Sequence, residues 1–457
     1  MSKSANRLAN QSEGKLLFNY ALPSIIAILV NALYNMVDQL FIGQGVGLLG
    51  NAATNIAFPL TFMCTALSLL FGIGGAANFN LSMGRGDTQR AANIAGNAIS
   101  MLVLSGIALC VISRTFLHPL LLFFGATPDA YENAVIYTGI TSLGFPFLIF
   151  GNGFSNLIRS DGSPKYSMFC VLAGAILNTI LDPIFIHFWG IAGAAIATVI
   201  GQILSCLLAG AYLFQFRTIQ LQPQHFRLRL ALVGAIVSLG ATGFFNQIAM
   251  MIVQITMNNI LTHYGALSDY GQDIPLAVAG IIAKVNMVCM AFGIGISQGC
   301  QPIVGYNYGA QLYPRVKKTY WLAIRAALCI FTVGWLCFQL LPRQIIGLFG
   351  EGSEAYFHFA ERYFRIYMLM AFANGVQPIT SQFFTSIGKA YKGIFLSLTR
   401  QVILLLPLIV IFPMFLGIDG VMYAGPVADC AAFLLSLFFA WREMREIDRL
   451  EQAKHTT

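Results

Sequence analysis

The chain has 457 residues, of which 57% are hydrophobic and 10% are charged, and its formal net charge is +8. So few charged residues cannot cover the surface of a water-soluble protein of this length. The apolar residues form runs of about 20 to 30 residues, enough for an α-helix to cross a hydrocarbon core about 30 Å thick, whereas barrel strands alternate over about 10 residues. The sequence therefore predicts an all-α membrane protein.

Twelve apolar runs predict transmembrane helices, arranged as two six-helix bundles. Their predicted bounds are residues 17–42, 53–83, 93–117, 133–157, 166–188, 191–215, 232–262, 275–305, 317–341, 357–384, 392–414 and 419–441. We predict an N-terminal lobe at 1–215, a cytoplasmic linker at 216–231, a C-terminal lobe at 232–441 and a cytoplasmic tail at 442–457.

The basic residues indicate the orientation of these spans. They gather in alternate loops, for example Arg85 and Arg90 after span two and Arg315 to Lys318 after span eight. By the positive-inside rule these loops, and with them both termini, are cytoplasmic. Because the basic residues are dispersed over many separate segments, the net charge predicts no nucleic-acid partner.

The two halves carry a weak internal repeat at an offset of about 221 to 227 positions. Gly72-Ile73-Gly74 matches Gly293-Ile294-Gly295, and Ser160-Asp161-Gly162 matches Ser386-Ile387-Gly388. A unit of six spans places both copies in the membrane with the same orientation, so the predicted pseudo-two-fold axis runs along the membrane normal. The cleft between the halves is the expected path of a substrate.

Two acidic residues lie inside spans of the first half. Asp38 follows Tyr34 by one helical turn in span one, and Asp182 follows Asn178 by one turn in span five. Pro183 cannot donate a backbone hydrogen bond, which frees a carbonyl group. These hard oxygen ligands are suited to H⁺ or Na⁺, and if they converge in one dry site, repulsion and desolvation raise the proton affinity of at least one carboxylate. The alternative is that each Asp only ties two helices together by a hydrogen bond.

The second half carries Lys284, Arg400 and Asp429 inside its spans. A structural ion pair between Lys284 and Asp429 would neutralise both charges, and we state this pairing as an expectation. The sequence leaves open whether the three residues are structural or functional.

Several motifs are shared with a known family. They are Val37-Asp38 in span one, RSDG at 159–162, GIGGAANFNLSMGRGD at 72–87 and NTILDP at 178–183. With these motifs the chain resembles the multidrug and toxic compound extrusion (MATE) family, in its MepA-like and DNA-damage-inducible prokaryotic branch. The resemblance implies drug export driven by H⁺ or Na⁺ through alternating inward-open and outward-open forms.

The resemblance also implies a site in the N-terminal lobe. Tyr34, Asp38, Asn178 and Asp182 match the family's cation site there, while Tyr137 and Thr198 lie near positions that assist it. A Na⁺ ion would be held by Asp38, Asn178 and Asp182. No further metal and no cofactor is expected.

This sequence departs from relatives that have a second cation site in the C-terminal lobe. Asn259 and Leu406 stand where the two acids would recur, and span ten offers Asn374 and Gln377 but no central carboxylate. We therefore expect the coupling chemistry to lie mainly in the first half.

The predicted function is a secondary active exporter of amphipathic organic cations, in antiport with H⁺ or Na⁺. The expected protein is a monomer in the bacterial cytoplasmic (inner) membrane, in contact with lipids and drug-like small molecules. The alternative is a flippase of a lipid-linked precursor, which needs a strongly basic cleft that only Lys284 and Arg400 could supply. An intramembrane enzyme is not predicted, because no HExxH motif and no paired His occurs.

Overall fold

The computed structural model describes residues 3–271, 273–348 and 354–456, and in these ranges helices are joined by turns and short loops, with no strand. The helices are α1 (Lys3–Asn10), α2 (Glu13–Gly45), α3 (Leu48–Gly84), α4 (Thr88–Thr115), α5 (Leu117–Phe123), α6 (Pro128–Ser160), α7 (Pro164–Trp189), α8 (Ile191–Ala211), α9 (Leu230–Ala266), α10 (Asp273–Gly309), α11 (Tyr313–Leu340), α12 (Pro342–Gly347), α13 (Glu354–Tyr367), α14 (Val376–Ser386), α15 (Ala390–Leu398), α16 (Leu406–Leu416) and α17 (Ile418–Thr456). The predicted all-α membrane fold is confirmed.

Within those residues, eleven helices are long and apolar enough to cross a membrane. The tenth predicted span differs from the others, because it is divided into α13 and α14 by a short 3₁₀ turn at Ala371–Ala373. Pro378 lies in the first turn of α14, where its missing N–H is tolerated, and it cannot continue a helix arriving from α13. The span is therefore two shorter helices.

The eleventh predicted span also contains an irregular segment. A π-helical stretch at Thr399–Leu405 separates α15 from α16, and Pro407 follows it directly inside α16. Proline removes a backbone donor and crowds the preceding turn, which accounts for the change in helical pitch. Arg400 lies within this stretch.

Arg400 pairs with Asp429 of α17, and this pairing corrects a prediction. The Arg400 Nε atom lies 2.6 Å from Asp429 Oδ1, and the side chains are 17% and 4% exposed. The predicted ion pair between Lys284 and Asp429 is therefore wrong. Arg400, in the π-helical stretch, is the partner of the carboxylate that the sequence analysis had paired with Lys284.

The two halves of the chain meet along α2 with α10 and α3 with α9, and the contact is concentrated toward one end. Gly295 and Gly299 of α10 pack against Ile25 and Ala21 of α2 so closely that a Cβ atom would collide with the facing residue. The same close packing occurs between α3 and α9. A Cβ atom on Gly74 of α3 would collide with the carbonyl oxygen of Ile236, and one on Gly240 of α9 would collide with the carbonyl oxygen of Leu70. We call this the closed end.

Ion pairs and hydrogen bonds strengthen the closed end. Glu13 at the start of α2 lies 3.1 Å from Arg315 and 2.9 Å from Lys318, both on α11 in the other half. In the same part of the helices, the Asn78 amide of α3 donates to the carbonyl group of Ala235 in α9 at 2.9 Å. The cleft between the halves is therefore shut at the closed end, and we call the opposite side the open end.

The segment between α8 and α9 is fixed at the closed end by Asp161. Its carboxylate accepts hydrogen bonds from the Tyr212 hydroxyl at 2.7 Å, from the backbone N–H groups of Arg217 at 2.6 Å and Thr218 at 3.0 Å, and from the Thr218 hydroxyl. The predicted linker contains a 3₁₀ turn at Pro223–Phe226 before α9 begins.

The predicted tail is not a separate segment in the structure. Residues 442–456 continue α17, and Glu443 on this extension contacts Lys389 at 2.5 Å and Lys392 at 2.6 Å. These ion pairs hold the helix against the turn between α14 and α15. The helix therefore extends beyond the apolar part of span twelve.

Candidate functional site

The site lies where α2 packs against α7, and its centre is a pair of carboxyl groups. Asp38 of α2 is 8% exposed and Asp182 of α7 is 0% exposed. The two side chains face each other within hydrogen-bonding reach. Two ionised carboxylates that face each other in a buried site repel, so this arrangement favours a shared proton or a cation between them.

Asn178 links the carboxyl pair to α8. Its Nδ2 atom donates to Asp182 Oδ1 at 3.2 Å and lies 3.4 Å from the Thr198 hydroxyl oxygen. Asp38 Oδ1, Asp182 Oδ2 and Asn178 Oδ1 are buried, and in the described part of the chain they accept no hydrogen bond. Three buried oxygens without donors are an electron-rich site of the type that a proton or a small hard cation would satisfy.

Two tyrosine hydroxyl groups complete the cluster. Tyr34 of α2 lies near both carboxyl groups. Tyr137 of α6 lies near the same two groups and near Tyr34, and its hydroxyl reaches Thr198. The structure thus brings together all six residues that the sequence and the family resemblance singled out, from four different helices.

An apolar cluster covers this site on the side of the open end. Ile42, Ile186 and Ala194 are buried in one cluster, with Phe41 and Tyr137 packed against it. Ile42 lies one turn beyond Asp38, and Ile186 lies one turn beyond Asp182. The side chains of Ile42, Ile186 and Ala194 have no polar atoms that could solvate an ion. The cluster therefore opposes direct entry of ions from that side.

A cavity of about 560 Å³, counted with its opening, leads to the other side of the site. Its walls come from α2, α6, α7 and α8, and they include Tyr34, Asn178 and Thr198. The remaining lining is a mixture of apolar side chains and amides or hydroxyls, which is typical of a small-molecule cavity. Ions and an organic molecule would therefore approach the carboxyl pair through the same space.

Five further polar residues line this cavity and were missed by the sequence analysis: Asn31, Asn152, Ser155, Gln202 and Ser205. A signal for two of them was present. Asn31 lies three residues before Tyr34, and Gln202 lies four residues after Thr198, so each shares a helix face with a predicted site residue. This shared helix face in an apolar span would have been enough to predict Asn31 and Gln202 as site residues.

The second half has no comparable carboxyl pair in the described residues. Asn259 is exposed, and the Gln377 amide donates to the carbonyl group of Leu396 at 3.1 Å. Asp429 is occupied by Arg400. No group of three or more His, Cys, Asp or Glu side chains with metal-binding geometry occurs within the described ranges.

The comparisons with known proteins agree with this architecture. The MatE family model matches residues 23–184 and 243–411, which together make up more than half of the chain. The chain is 22% identical over 444 residues to the multidrug export protein MepA of Staphylococcus aureus strain MRSA252, and the match covers 96% of each protein. It is 23% identical over 436 residues to MepA of Staphylococcus haemolyticus strain JCSC1435, with 93% of each protein covered.

A solved structure shares the fold. It is an outward-facing conformation of a multidrug resistance MATE family transporter of the MOP superfamily, with a TM-score of 0.90 and 21% sequence identity. The match covers 98% of this chain and 99% of that one. The predicted MepA-like resemblance is confirmed, and so is the prediction of a transporter and not an enzyme: the chain is a multi-pass membrane protein that belongs to the MatE family of transporters.

Proposed function

We propose that this transporter exports amphipathic organic cations of several kinds in exchange for H⁺ or Na⁺. The observation that carries the proposal is the facing pair Asp38 and Asp182, whose unsatisfied oxygens lie beside a cavity lined by apolar, amide and hydroxyl groups. The relatives named multidrug export proteins support the export of several kinds of molecule. No cofactor is needed, because an ion gradient supplies the free energy.

The exchange follows from competition for one negative site. When the carboxyl pair holds no cation, its charge attracts a cationic drug into the adjoining cavity. When a proton or Na⁺ ion occupies the pair, that attraction is lost and the drug is released. Coupling then requires that the drug and the proton or Na⁺ ion each bind the inward-open and outward-open forms of the protein with different affinity.

The orientation in the membrane is part of the proposal. The closed end carries the ion-paired basic residues Arg315, Lys318, Lys389 and Lys392, and the positive-inside rule assigns such residues to the cytoplasm. The open end then faces outward, which is the side where an exporter releases its drug. Both termini would be cytoplasmic, in a monomer in a bacterial inner membrane.

Flipping of a lipid-linked precursor is the second candidate, and the ion pairs count against it. A pyrophosphate headgroup needs several free cations in the cleft. Arg400 is neutralised by Asp429, so of the two predicted cleft cations only Lys284 remains. One lysine is a weak basis for binding a pyrophosphate, and no nucleic-acid role has support in the dispersed basic residues.

The test uses purified protein in liposomes loaded with ethidium, with an imposed H⁺ gradient in one set and an imposed Na⁺ gradient in another. We expect one of the gradients to drive ethidium transport, and Asp38→Asn to reduce it at least tenfold without loss of folded protein. Asp269→Asn, in an exposed loop, is the matched control. Full transport by Asp38→Asn under the same gradient would contradict the proposal.

A further inference from the structure

The N-terminal helix α1 belongs to the first half by sequence but is attached to the second half. The backbone carbonyl group of Leu8 accepts hydrogen bonds from Asn307 Nδ2 of α10 and from Arg315 Nη2 of α11, each at 3.2 Å. The same Arg315 nitrogen also donates to the carbonyl group of Gln11. Asn307 is 0% exposed, so these contacts lie inside the closed end and not on its surface.

These contacts cap the C-terminal end of α1. The last carbonyl groups of an α-helix have no partner within the helix, and the negative end of the helix dipole attracts a cation. Leu8 lies in the last turn of α1, and its carbonyl group receives donors from α10 and α11. A helix of eight residues is too short to be stable on its own. The fold of α1 therefore depends on its contact with the second half.

The side chain of Leu8 fills the seam between the two halves. Leu8 is 4% exposed. It borders a small space together with Phe79 of α3 and Tyr306 of α10. Close by, α3 and α10 cross so tightly that a Cβ atom on Gly84 would collide with the carbonyl oxygen of Tyr306. Leu8 therefore stays buried only while these two helices, one from each half, remain together.

The connection between α1 and α2 is too short to keep α1 in place when the closed end opens. α1 ends at Asn10 and α2 begins at Glu13. A fully extended chain spans about 3.6 Å per residue, which gives a reach of about 11 Å between these two positions. α2 packs on α7 of the first half. Separation of the start of α2 from α11 by more than this reach must therefore pull α1 off the second half.

We propose that α1 is a strap at the closed end, which docks on Asn307 and Arg315 when the two halves meet there and detaches when they separate. Docking and release of α1 then belong to each change between the two forms of the transporter. While docked, α1 stabilises the shut closed end through the hydrogen bonds to its carbonyl groups and through burial of the Leu8 side chain. This role does not depend on which drug or ion is transported.

The first test measures hydrogen–deuterium exchange of the amide groups in residues 3–11, with purified protein in lipid nanodiscs. Arg315→Gln removes the cation from the C-terminal end of α1, and we expect exchange there to become about tenfold faster. Lys318→Gln is the matched control, because Lys318 pairs with the same Glu13 at 2.9 Å and its side chain is 65% exposed. The control should change the exchange rate by no more than about threefold.

The second test opens the closed end without altering α1 or the residues that bind it. A Cβ atom on Gly295 would lie 2.4 Å from the side chain of Ile25, so Gly295→Leu forces α10 away from α2. We expect about tenfold faster exchange in residues 3–11, although position 295 is about 18 Å along α10 from the α1 contact at 1.5 Å per residue. Gly280→Leu is the control and should leave the exchange unchanged, because no atom of the described residues lies within 4 Å of a Cβ atom there.

Two outcomes would overturn the inference. One is an equal change of exchange in the two variants of the first test. The other is continued protection of residues 3–11 in Gly295→Leu while spin labels at Lys15 and Tyr391, which are exposed, show that the halves have separated. Unchanged exchange in α7 and α8 shows in the same experiment that a variant is folded. The measurements need neither drug nor ion gradient, so they decide the role of α1 separately from ethidium transport, which tests the proposed export function.

Discussion

The carboxyl groups of Asp38 and Asp182 face each other across the interface of α2 and α7, and each keeps one buried oxygen that accepts no hydrogen bond within the described residues. When buried polar residues only hold two helices together, their polar atoms normally all have hydrogen-bond partners. The unsatisfied oxygens therefore favour a site that is loaded and unloaded during the transport cycle over a purely structural hydrogen bond.

Because the two carboxyl groups bind one proton or cation together, the effects of substituting them on the transport rate should not be additive. Asp38→Asn and Asp182→Asn should each reduce gradient-driven ethidium transport at least tenfold, and the double variant should be no worse than the more severe single one. Transport rates in liposomes, corrected for the amount of folded protein, measure this. Two independent sites would instead give losses that multiply.

The apolar cluster beyond the carboxyl pair should act as an ion barrier. Ile186→Ser places a hydroxyl one turn from Asp182 and opens the dry side of the site, so we expect a severalfold increase in H⁺ or Na⁺ leak in liposomes without drug. Ile184→Ser is the control, since Ile184 lies on the same helix but is 47% exposed. Equal leak from both variants, or from neither, would show that the cluster is not the barrier.

The ion pairs of Glu13 should favour the form in which the closed end is shut. Glu13→Gln removes the charge that pairs with Arg315 and Lys318. We expect the conformational equilibrium to shift by about 1–2 kcal/mol toward the form in which the two halves are separated at the closed end. Spin labels at Lys15 and Tyr391, which lie in different halves and are exposed, report the separation. An unchanged distance distribution would count against this role.

The pair of Arg400 and Asp429 should be structural. Asp429→Asn leaves a buried guanidinium without its counter-charge and should lower the free energy of unfolding by about 3 kcal/mol, whereas the double variant Arg400→Met with Asp429→Leu should regain more than half of that loss. Thermal unfolding in detergent measures both. A double variant as unstable as the single one would refute a simple ion pair.

Much of the site could be predicted because an acid in an apolar span is costly. That cost made Asp38 and Asp182 conspicuous, and helical spacing added Tyr34 and Asn178 to them. Tyr137 and Thr198 came from the family resemblance, since their spans give no periodic signal that connects them to α2 or α7. The structure brings all six together.

The parts that could not be predicted depend on local departures from a regular helix. The partner of Asp429 was assigned wrongly, and the actual partner, Arg400, lies in a π-helical stretch that a regular helical period does not describe. The division of span ten into α13 and α14 was missed for a similar reason, since hydropathy reports the apolar run but not the break at Ala371–Ala373. Periodicity locates a span and does not reveal where its pitch changes.

The most direct test of the exchange is to measure the ion that a bound drug displaces. Purified protein in weakly buffered solution is titrated with ethidium while a pH indicator and a Na⁺ electrode follow the released ions. The proposed competition predicts release of about one cation per bound drug, and no release from Asp38→Asn. Binding of ethidium with no released ion, or the same release from Asp38→Asn, would contradict the claim that drug and cation compete at the carboxyl pair.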